Sequence, residues 1–458
     1  MNRLPPEILS RVAQYVLDKN ASDTRSIIPL THVCRYWRES IVTTPEIWVL
    51  ISNESKGLTT LSLERSKAAP LEIELNMHVK DRGFFDLLLP CIRNTGSLSV
   101  RGFSSAEELT QVLPGFPGST PNLRSLTLRT TRIEGDQSVD PFESLASTLR
   151  CLSLNHFPLY PSFLRLTSLT ELDLTDYRFN LHIDTLLNFL KENHSLDTAT
   201  LRIRFAESSL RNSQLCAAIR NRLRYLSIRC SDAMDGKALV SGIALRRGAH
   251  LEIDHYSSDG TLGGILSGVS AKHLSNLSSP TFMECRSHSQ FIRLFGPNGT
   301  FSFKSLHGLE DPFSEFTLLP LPFTNIRELR LVHRRSGRTP FPLKPTVFHP
   351  PFFPALETLA VDCETSVAHL FSILFSNPSS SPSLKTLAFL DCDITEDFME
   401  ELTQFAFNRK STASARLYRA VFVNSKGKHP SLASIDGLEK HVPIVDVRMS
   451  KELPRDLT

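Results

Sequence analysis

A short apolar phrase, Leu-x-x-Leu-x-Leu, recurs along most of this chain. In full, or with a close aliphatic or aromatic variant, it stands at Leu123-Leu126-Leu128, Leu149-Leu152-Leu154, Leu169-Leu172-Leu174 and Leu223-Leu226-Ile228. It returns at Ile326-Leu329-Leu331, Leu356-Leu359-Val361 and Leu384-Leu387-Phe389. Successive starts lie 26, 20, 54, 103, 30 and 28 residues apart. The two long gaps are near two and four multiples of about 26, so further copies are expected inside them. Weaker matches fill the positions: Leu196-Ala199-Leu201, Leu251-x-Ile253, Leu274-Leu277 and Phe301-x-Phe303 in the gaps. Ile73-x-Leu75, Leu98-x-Val100, Leu417-x-x-Ala420-x-Phe422 and Val445-x-Val447 flank them. The spacing therefore predicts about fifteen strand units.

The last apolar positions of each phrase alternate, as in a short strand with one buried face. Between the phrases, Ile183-Leu186-Leu187-Leu190, Phe291-Leu294-Phe295, Val367-Leu370-Phe371-Leu374 and Phe398-Leu402-Phe405 carry helical spacing. One strand with one helix cannot bury its own apolar side, so the repeats must stack. The expectation is an α/β chain with an irregular leucine-rich-repeat solenoid and a curved parallel sheet. Such repeats prefer Asn or Cys at the bend after the strand. Cys392 follows one strand in this way and Thr131 another, whereas Phe157 and Tyr177 stand there in two repeats. Residues 334–354, rich in proline and basic side chains, and the Ser/Pro-rich 377–383 read as surface loops.

The first fifty residues have a different character. Pro5 and Pro6 suit a first helical turn, where an amide hydrogen has no partner. Ile8, Leu9, Val12, Val16 and Leu17 then form a helical stripe. Pro29 fits the first turn of a second segment, and Leu30, Val33, Cys34, Trp37 and Ile41 continue at spacings of three and four up to Thr44-Pro45. Three short helices are expected, with more apolar surface than a unit of this size can bury alone. Both tryptophans of the chain, Trp37 and Trp48, lie here. Residues 57–66 predict a linking helix, and Leu71-Glu72-Ile73-Glu74-Leu75 alternates as a strand.

Three anchor groups occur in order: Leu4-Pro5-Pro6-Glu7-Ile8-Leu9, Val33-Cys34-Arg35-Tyr36-Trp37-Arg38 and Thr44-Pro45-Glu46-Ile47-Trp48. Together they resemble the F-box, in particular the box at the front of a large group of proteins from mushroom-forming fungi. The phrase after it, Leu-Glu-Arg-Ser and then Pro-Leu-x-Ile-x-Leu, resembles the segment that follows the box in those proteins. The resemblance implies a three-helix module that docks on a Skp-type adaptor, and through it on a cullin and a RING subunit. It implies Leu4, Pro5, Ile8, Leu9, Val33, Cys34 and Trp37 as the adaptor-facing or interface-supporting set. The box begins almost at Met1, where many relatives carry residues ahead of it, so the start is expected to be short. The expected layout is a box at 1–50, a linker helix at 51–69, the solenoid at 70–450 and a tail at 451–458.

Fifty-one basic against 48 acidic side chains give a net charge of +3. That balance argues against bulk binding of nucleic acid or a membrane surface. No apolar run approaches the ~18 residues of a membrane-spanning helix, and the start lacks a charged leader followed by an apolar stretch. The 8 cysteines are scattered, with no Cys-x-x-Cys and no zinc-ligand spacing, so reduced thiols and a cytoplasmic or nuclear location are expected. On this reading Asn193-His194-Ser195 and Asn298-Gly299-Thr300 are chance sequon matches.

No phosphate-loop, nucleophile-elbow or zinc-protease motif is present. Gly260–Gly268 is glycine-rich without a lysine and reads as a flexible turn. Paired acids such as Glu107-Glu108 and Glu400-Glu401 read as solvated helix faces. No catalytic residue, metal or cofactor is expected. The non-leucine strand positions carry Arg124, Arg129, Arg150, Arg202, Arg204, Arg224, Arg229, Arg327 and Arg330. Arginine grips carboxylate and phosphate in two-pronged fashion, so Arg129, Arg202, Arg224, Arg229 and Arg330 are candidate client-binding residues. The opposing reading is that acids such as Glu171, Asp173, Glu252 and Glu328 neutralise them. Functionally, the F-box resemblance implies a substrate receptor of a cullin-RING ubiquitin ligase, acting by proximity; periodicity alone implies a binding solenoid behind a helical module. The alternative is a leucine-rich-repeat scaffold that binds the adaptor without turnover of a client.

Overall fold

The computed structural model describes residues 4–19, 24–78, 82–104, 108, 120–130, 142, 148–157, 161–178, 183–204, 219–220, 223–256, 262–266, 269, 274, 277, 279–286, 291–305, 323–333, 353–363, 381–392, 394–411, 416–423 and 430–448. The chain divides into two compact units, Met1–Asn180 with Asn188–Ile203, and Leu181–Leu187 with Arg204–Thr458. Expectations for residues 131–133, 334–352, 364–380 and 451–458, and for the side chains of Tyr177 and Arg204, fall outside the described residues.

The first unit opens with α1 (Pro6–Lys19), α2 (Ile28–Thr31) and α3 (Arg35–Thr43), with 3-10 turns at Thr24–Ile27 and Pro45–Ile47. The Pro5 carbonyl accepts from the amides of Ile8 and Leu9 at 3.0 and 3.2 Å, so proline stands where the helix has no use for its missing hydrogen. Pro29 likewise occupies the first turn of α2. Then follow β1 (Leu50–Ser52), α4 (Lys56–Ser66), β2 (Leu71–Asn76), α5 (Arg82–Leu88), β3 (Thr95–Phe103), β4 (Ser125–Thr130), β5 (Cys151–Asn155), β6 (Glu171–Arg178), α6 (Ile183–Glu192) and β7 (Thr198–Arg204). Strands β1 to β6 pair in chain order, all parallel. Their register sets Ile73, Leu98, Leu126, Leu152 and Leu172 side by side, each no more than 2 % exposed.

Five of the phrases share one local structure. The amide of the first apolar residue donates to the carbonyl three residues back: Leu123 to Thr120, Leu196 to Asn193, Ile326 to Phe323, Leu356 to Phe353, Leu384 to Ser381. The next residue makes the first rung to the neighbouring strand, as Arg150 does on Arg124 and Glu357 on Arg327, both at 2.7 Å. The two later apolar residues then bury on one face. A fully buried leucine contributes roughly 2 kcal/mol, so a stacked pair of rows is a large share of each repeat's stability. Phe157, at the bend where a polar residue was expected, is fully buried between Phe103 and Phe142, with ring centroids at 5.8 and 5.9 Å. It fills the interior instead of satisfying backbone groups.

The second unit contains β8 (Ile219–Arg220), β9 (Tyr225–Cys230), α7 (Ala233–Gly242), β10 (Ile243–Ala244), β11 (Ala249–His255), α8 (Leu262–Leu266), β12 (Phe282–Arg286), β13 (Phe291–Gly296), β14 (Gly299–Ser305), β15 (Glu328–His333), β16 (Thr358–Cys363), β17 (Thr386–Leu390), α9 (Glu396–Ser411), β18 (Arg419–Val423), α10 (Leu432–Glu439) and β19 (Ile444–Arg448). Strands β9, β11 and β14 pair parallel, as do β12 and β15 through β19 in succession. Between these two parallel runs, β13 pairs antiparallel with both β14 and β12. Within each unit the described strands pair mostly parallel, and β8 with β10 forms a separate parallel pair.

All seven clear phrases carry strands, and so do most weak ones. Three expectations need correction. Phe291-Leu294-Phe295 is strand β13, not a helix: Ile292 and Leu294 are buried on one face, and Phe291, Arg293 and Phe295 alternate with them. Leu274 and Leu277 are buried but lie in a turn; the strand comes after them, with Met283 and Cys285 as its buried pair. The glycine-rich 260–268 contains a helical turn, α8, in which Leu262, Ile265 and Leu266 are buried. Strand β1, helices α5, α7 and α10, the short pair β8 and β10, and the antiparallel insertion were not expected.

Candidate functional site

Helix α1 turns Leu9, Ala13 and Leu17 inward at intervals of four. Ala13 and Leu17 join Ile27, Ile41, Ile47 and Trp48 in one buried cluster, against which Leu30, Trp37, Val42 and Leu61 pack. The Trp48 indole donates to the Ile41 carbonyl at 2.9 Å, and the Arg65 guanidinium of α4 lies 4.4 Å over its ring. The box is thereby fastened to the linking helix. That helix buries Thr59, Ser62 and Ser66 rather than its leucines. Its Thr59 hydroxyl donates to the Ser52 carbonyl at 2.7 Å, which ties the helix to β1.

The opposite side of the box is apolar and open. Leu4 is 46 % exposed, Ile8 41 %, Ile28 40 % and Val33 58 %. Pro5 and Cys34 are also exposed. Cys34 holds an extended conformation at the start of α3, and its carbonyl accepts from the Arg38 amide at 3.0 Å. Tyr36 donates its hydroxyl to the Leu4 carbonyl at 2.7 Å. This bond holds the entry of α1 against α3, so that Leu4 and the Val33–Trp37 edge lie together. Of the seven residues that the F-box resemblance implied, Leu4, Pro5, Ile8, Val33 and Cys34 are surface groups. Leu9 is buried and Trp37 half-buried, both in supporting positions. Tyr36 was missed. It sits inside the second anchor group, but only the fold reveals that its hydroxyl spans back to residue 4.

The arginines fall into two rows. Arg124, Arg150, Arg224 and Arg327 precede strands and are exposed. Arg129, Arg202, Arg229 and Arg330 stand on strands, opposite to the leucines. In the first unit, exposed Arg129 neighbours Arg101 and Asn155 by register, and Arg202 is half-buried. In the second, Arg229 lies 2.7 Å from the Asp254 carboxylate and Arg330 3.3 Å from that of Asp362. Four strands separate Arg229 from Arg330, so these two are not adjacent.

Burial raises the thiols of Cys230, to about 12, and of Cys285, which makes both poor nucleophiles. The six cysteines whose side chains are described are free thiols. Among the described residues no cluster of His, Cys, Asp or Glu could hold a metal ion, and no helix is long and apolar enough to cross a membrane.

The front of the chain is thus a helical module with exposed apolar residues, followed by a repeating parallel sheet. Residues 1–53 match the model of the F-box-like family. The chain therefore carries an F-box-like domain at its front. No curated protein matches the chain.

Proposed function

We propose that this protein is the substrate-recognition subunit of an SCF-type cullin-RING ubiquitin ligase. The box docks on a Skp-type adaptor and the repeats hold a protein client. The reading rests on one observation: an F-box-like module whose apolar residues Leu4, Ile8 and Val33 face solvent. Its contribution to catalysis is proximity, raising the effective concentration of client lysines near the charged conjugating enzyme. Among the five candidate client-binding arginines, Arg129 and Arg224 have exposed side chains for an acidic client, while Asp254 and Asp362 engage Arg229 and Arg330.

The test is adaptor binding by full-length protein and by a Leu4→Glu, Ile8→Glu, Val33→Glu variant. These positions are exposed, so the variant should keep the parent melting temperature. Adaptor affinity should fall by about a hundredfold or more, since apolar interface anchors cost upward of 1 kcal/mol each. Equal binding by the two proteins would sink the proposal. Trp37 is a poorer probe, because it packs on the box core.

A further inference from the structure

The antiparallel insertion changes the chemistry of the sheet face that lies opposite to the leucines in the second unit. Away from the insertion, this face joins acid to base between neighbouring strands: Arg229 with Asp254, Arg330 with Asp362, and Arg419 with Asp446 at 3.3 Å. At the insertion the face becomes aromatic and cationic. Phe282, Phe291 and Phe295 are half-buried there, on the side away from the buried Met283, Ile292 and Leu294. The rings of Phe282 and Phe295 pack at 5.4 Å. Arg293 lies between Phe291 and Phe295 on β13, with its guanidinium 4.9 and 5.4 Å from their centroids. By register Phe291 stands between Arg286 and Lys304.

The acids of this region are already engaged. Glu284 pairs with Arg286, Asp254 with Arg229, and Glu252 accepts from the Tyr225 hydroxyl. Glu284 stands opposite Arg293 by register but makes its ion pair with Arg286, and among the described residues neither Arg293 nor Lys304 forms an ion pair of its own. Same-face positions on β13 run apolar, cationic, apolar at a spacing of two residues, about 7 Å. An extended ligand presents its own side chains at that spacing.

We infer that this patch binds an extended protein segment of the form apolar–x–acid–x–apolar, with the acid on Arg293 and Lys304 and the flanking apolar groups on Phe291 and on Phe282 with Phe295. The inference deepens the receptor reading by naming where and what the client docks. A polyphosphate strand fits less well, because it offers no apolar groups to Phe282, Phe291 and Phe295 and carries charge at every step past Glu252, Asp254 and Glu284, where a peptide carries one.

The test uses the full chain and a fluorescein-labelled peptide with the core leucine, serine, glutamate, serine, leucine, read by anisotropy. Saturable binding is expected. Lysine for glutamate, or serine for both leucines, should weaken it by about tenfold or more. Arg293→Met keeps an unbranched side chain over the rings and removes the charge, and should weaken the parent peptide similarly. Lys304→Glu, at an exposed site, serves as a second variant should Arg293→Met disturb folding. Absence of saturable binding, indifference to the peptide's charge, no effect of either variant, or tighter binding of a single-stranded oligonucleotide overturns the assignment. Adaptor binding by the same preparations is measured in parallel. Peptide binding without adaptor binding removes the receptor reading and keeps the patch; the converse removes the patch alone.

Discussion

Two single residues carry more than their sequence context suggests. Arg409 on α9 is fully buried. It donates to the carbonyls of Ser381, Pro382 and Leu384 at 3.0, 3.4 and 3.0 Å, closing the turn that leads into β17. Charge-assisted bonds to buried carbonyls contribute strongly, and their loss leaves acceptors unsatisfied. Arg409→Met is expected to cost about 3 kcal/mol in urea unfolding, and Arg409→Lys should not restore it, because one ammonium cannot span three carbonyls. An unchanged midpoint for the methionine variant would refute this. His250 on β11 stacks on Tyr225 at 5.1 Å and meets the Thr300 hydroxyl. Burial, with a smaller effect of Arg293, lowers its pKa below the ordinary 6.5, despite nearby Glu252. The unfolded chain therefore takes up the proton first as pH falls. The stability linked to this group is complete above about pH 6.5 and is lost as pH drops through the lower folded value. His250→Gln should flatten that acid limb of a melting-temperature profile; an identical limb in both proteins would show another group to be responsible.

At the scale of elements, the leucine phrase was legible because its physics is local. A turn, a rung and two alternating apolar residues specify each strand without help from distant sequence. The box was legible for a different reason: its three anchor groups keep their spacing. Strand β13 was not read correctly, because Phe291, Leu294 and Phe295 satisfy helical spacing while Ile292 and Leu294 satisfy strand spacing. A short apolar run cannot decide between the two periods. The deciding signal lay just beyond it. Gly296-Pro297-Asn298-Gly299 is a two-residue hairpin turn, with Gly299 at a φ of +135°. At Gly296 an added Cβ would lie 2.5 Å from the Ser279 carbonyl oxygen and 3.0 Å from the Pro280 Cα. Both are backbone atoms and cannot swing aside. Gly296→Ala should cost about 1–3 kcal/mol and speed hydrogen exchange in β12 and β13, whereas Gly437→Ala, in open space, should not. The candidate adaptor face was only partly legible, since spacing marks Leu9 and Leu4 alike and says nothing of which one the fold buries.

For the molecule as a whole, the box and the first strands belong to one compact unit. Strand β1 follows the box directly and pairs with β2, and the Asn53 side chain bonds both the carbonyl and the amide of Asn76 at 2.7 and 2.8 Å. A docking module fastened in this way cannot rotate freely on the sheet that follows it. Asn53→Ala should loosen the joint: amide exchange in β1 and β2 should rise and stability fall by about 1–2 kcal/mol. Unaltered exchange in those strands would show that the Trp48–Arg65 contact suffices alone. The inserted meander has a consequence of a different kind, for the order of folding. Parallel neighbours are joined by 15 residues or more, as between β5 and β6, whereas two residues join β13 to β14 and four join β12 to β13. Short closures form in microseconds, and three strands so linked share an apolar face before any crossover is complete. The antiparallel break in the repeat is thus where the second unit can begin to assemble: the meander presents parallel-facing edges, β14 and β12, onto which the regular repeats on either side can add.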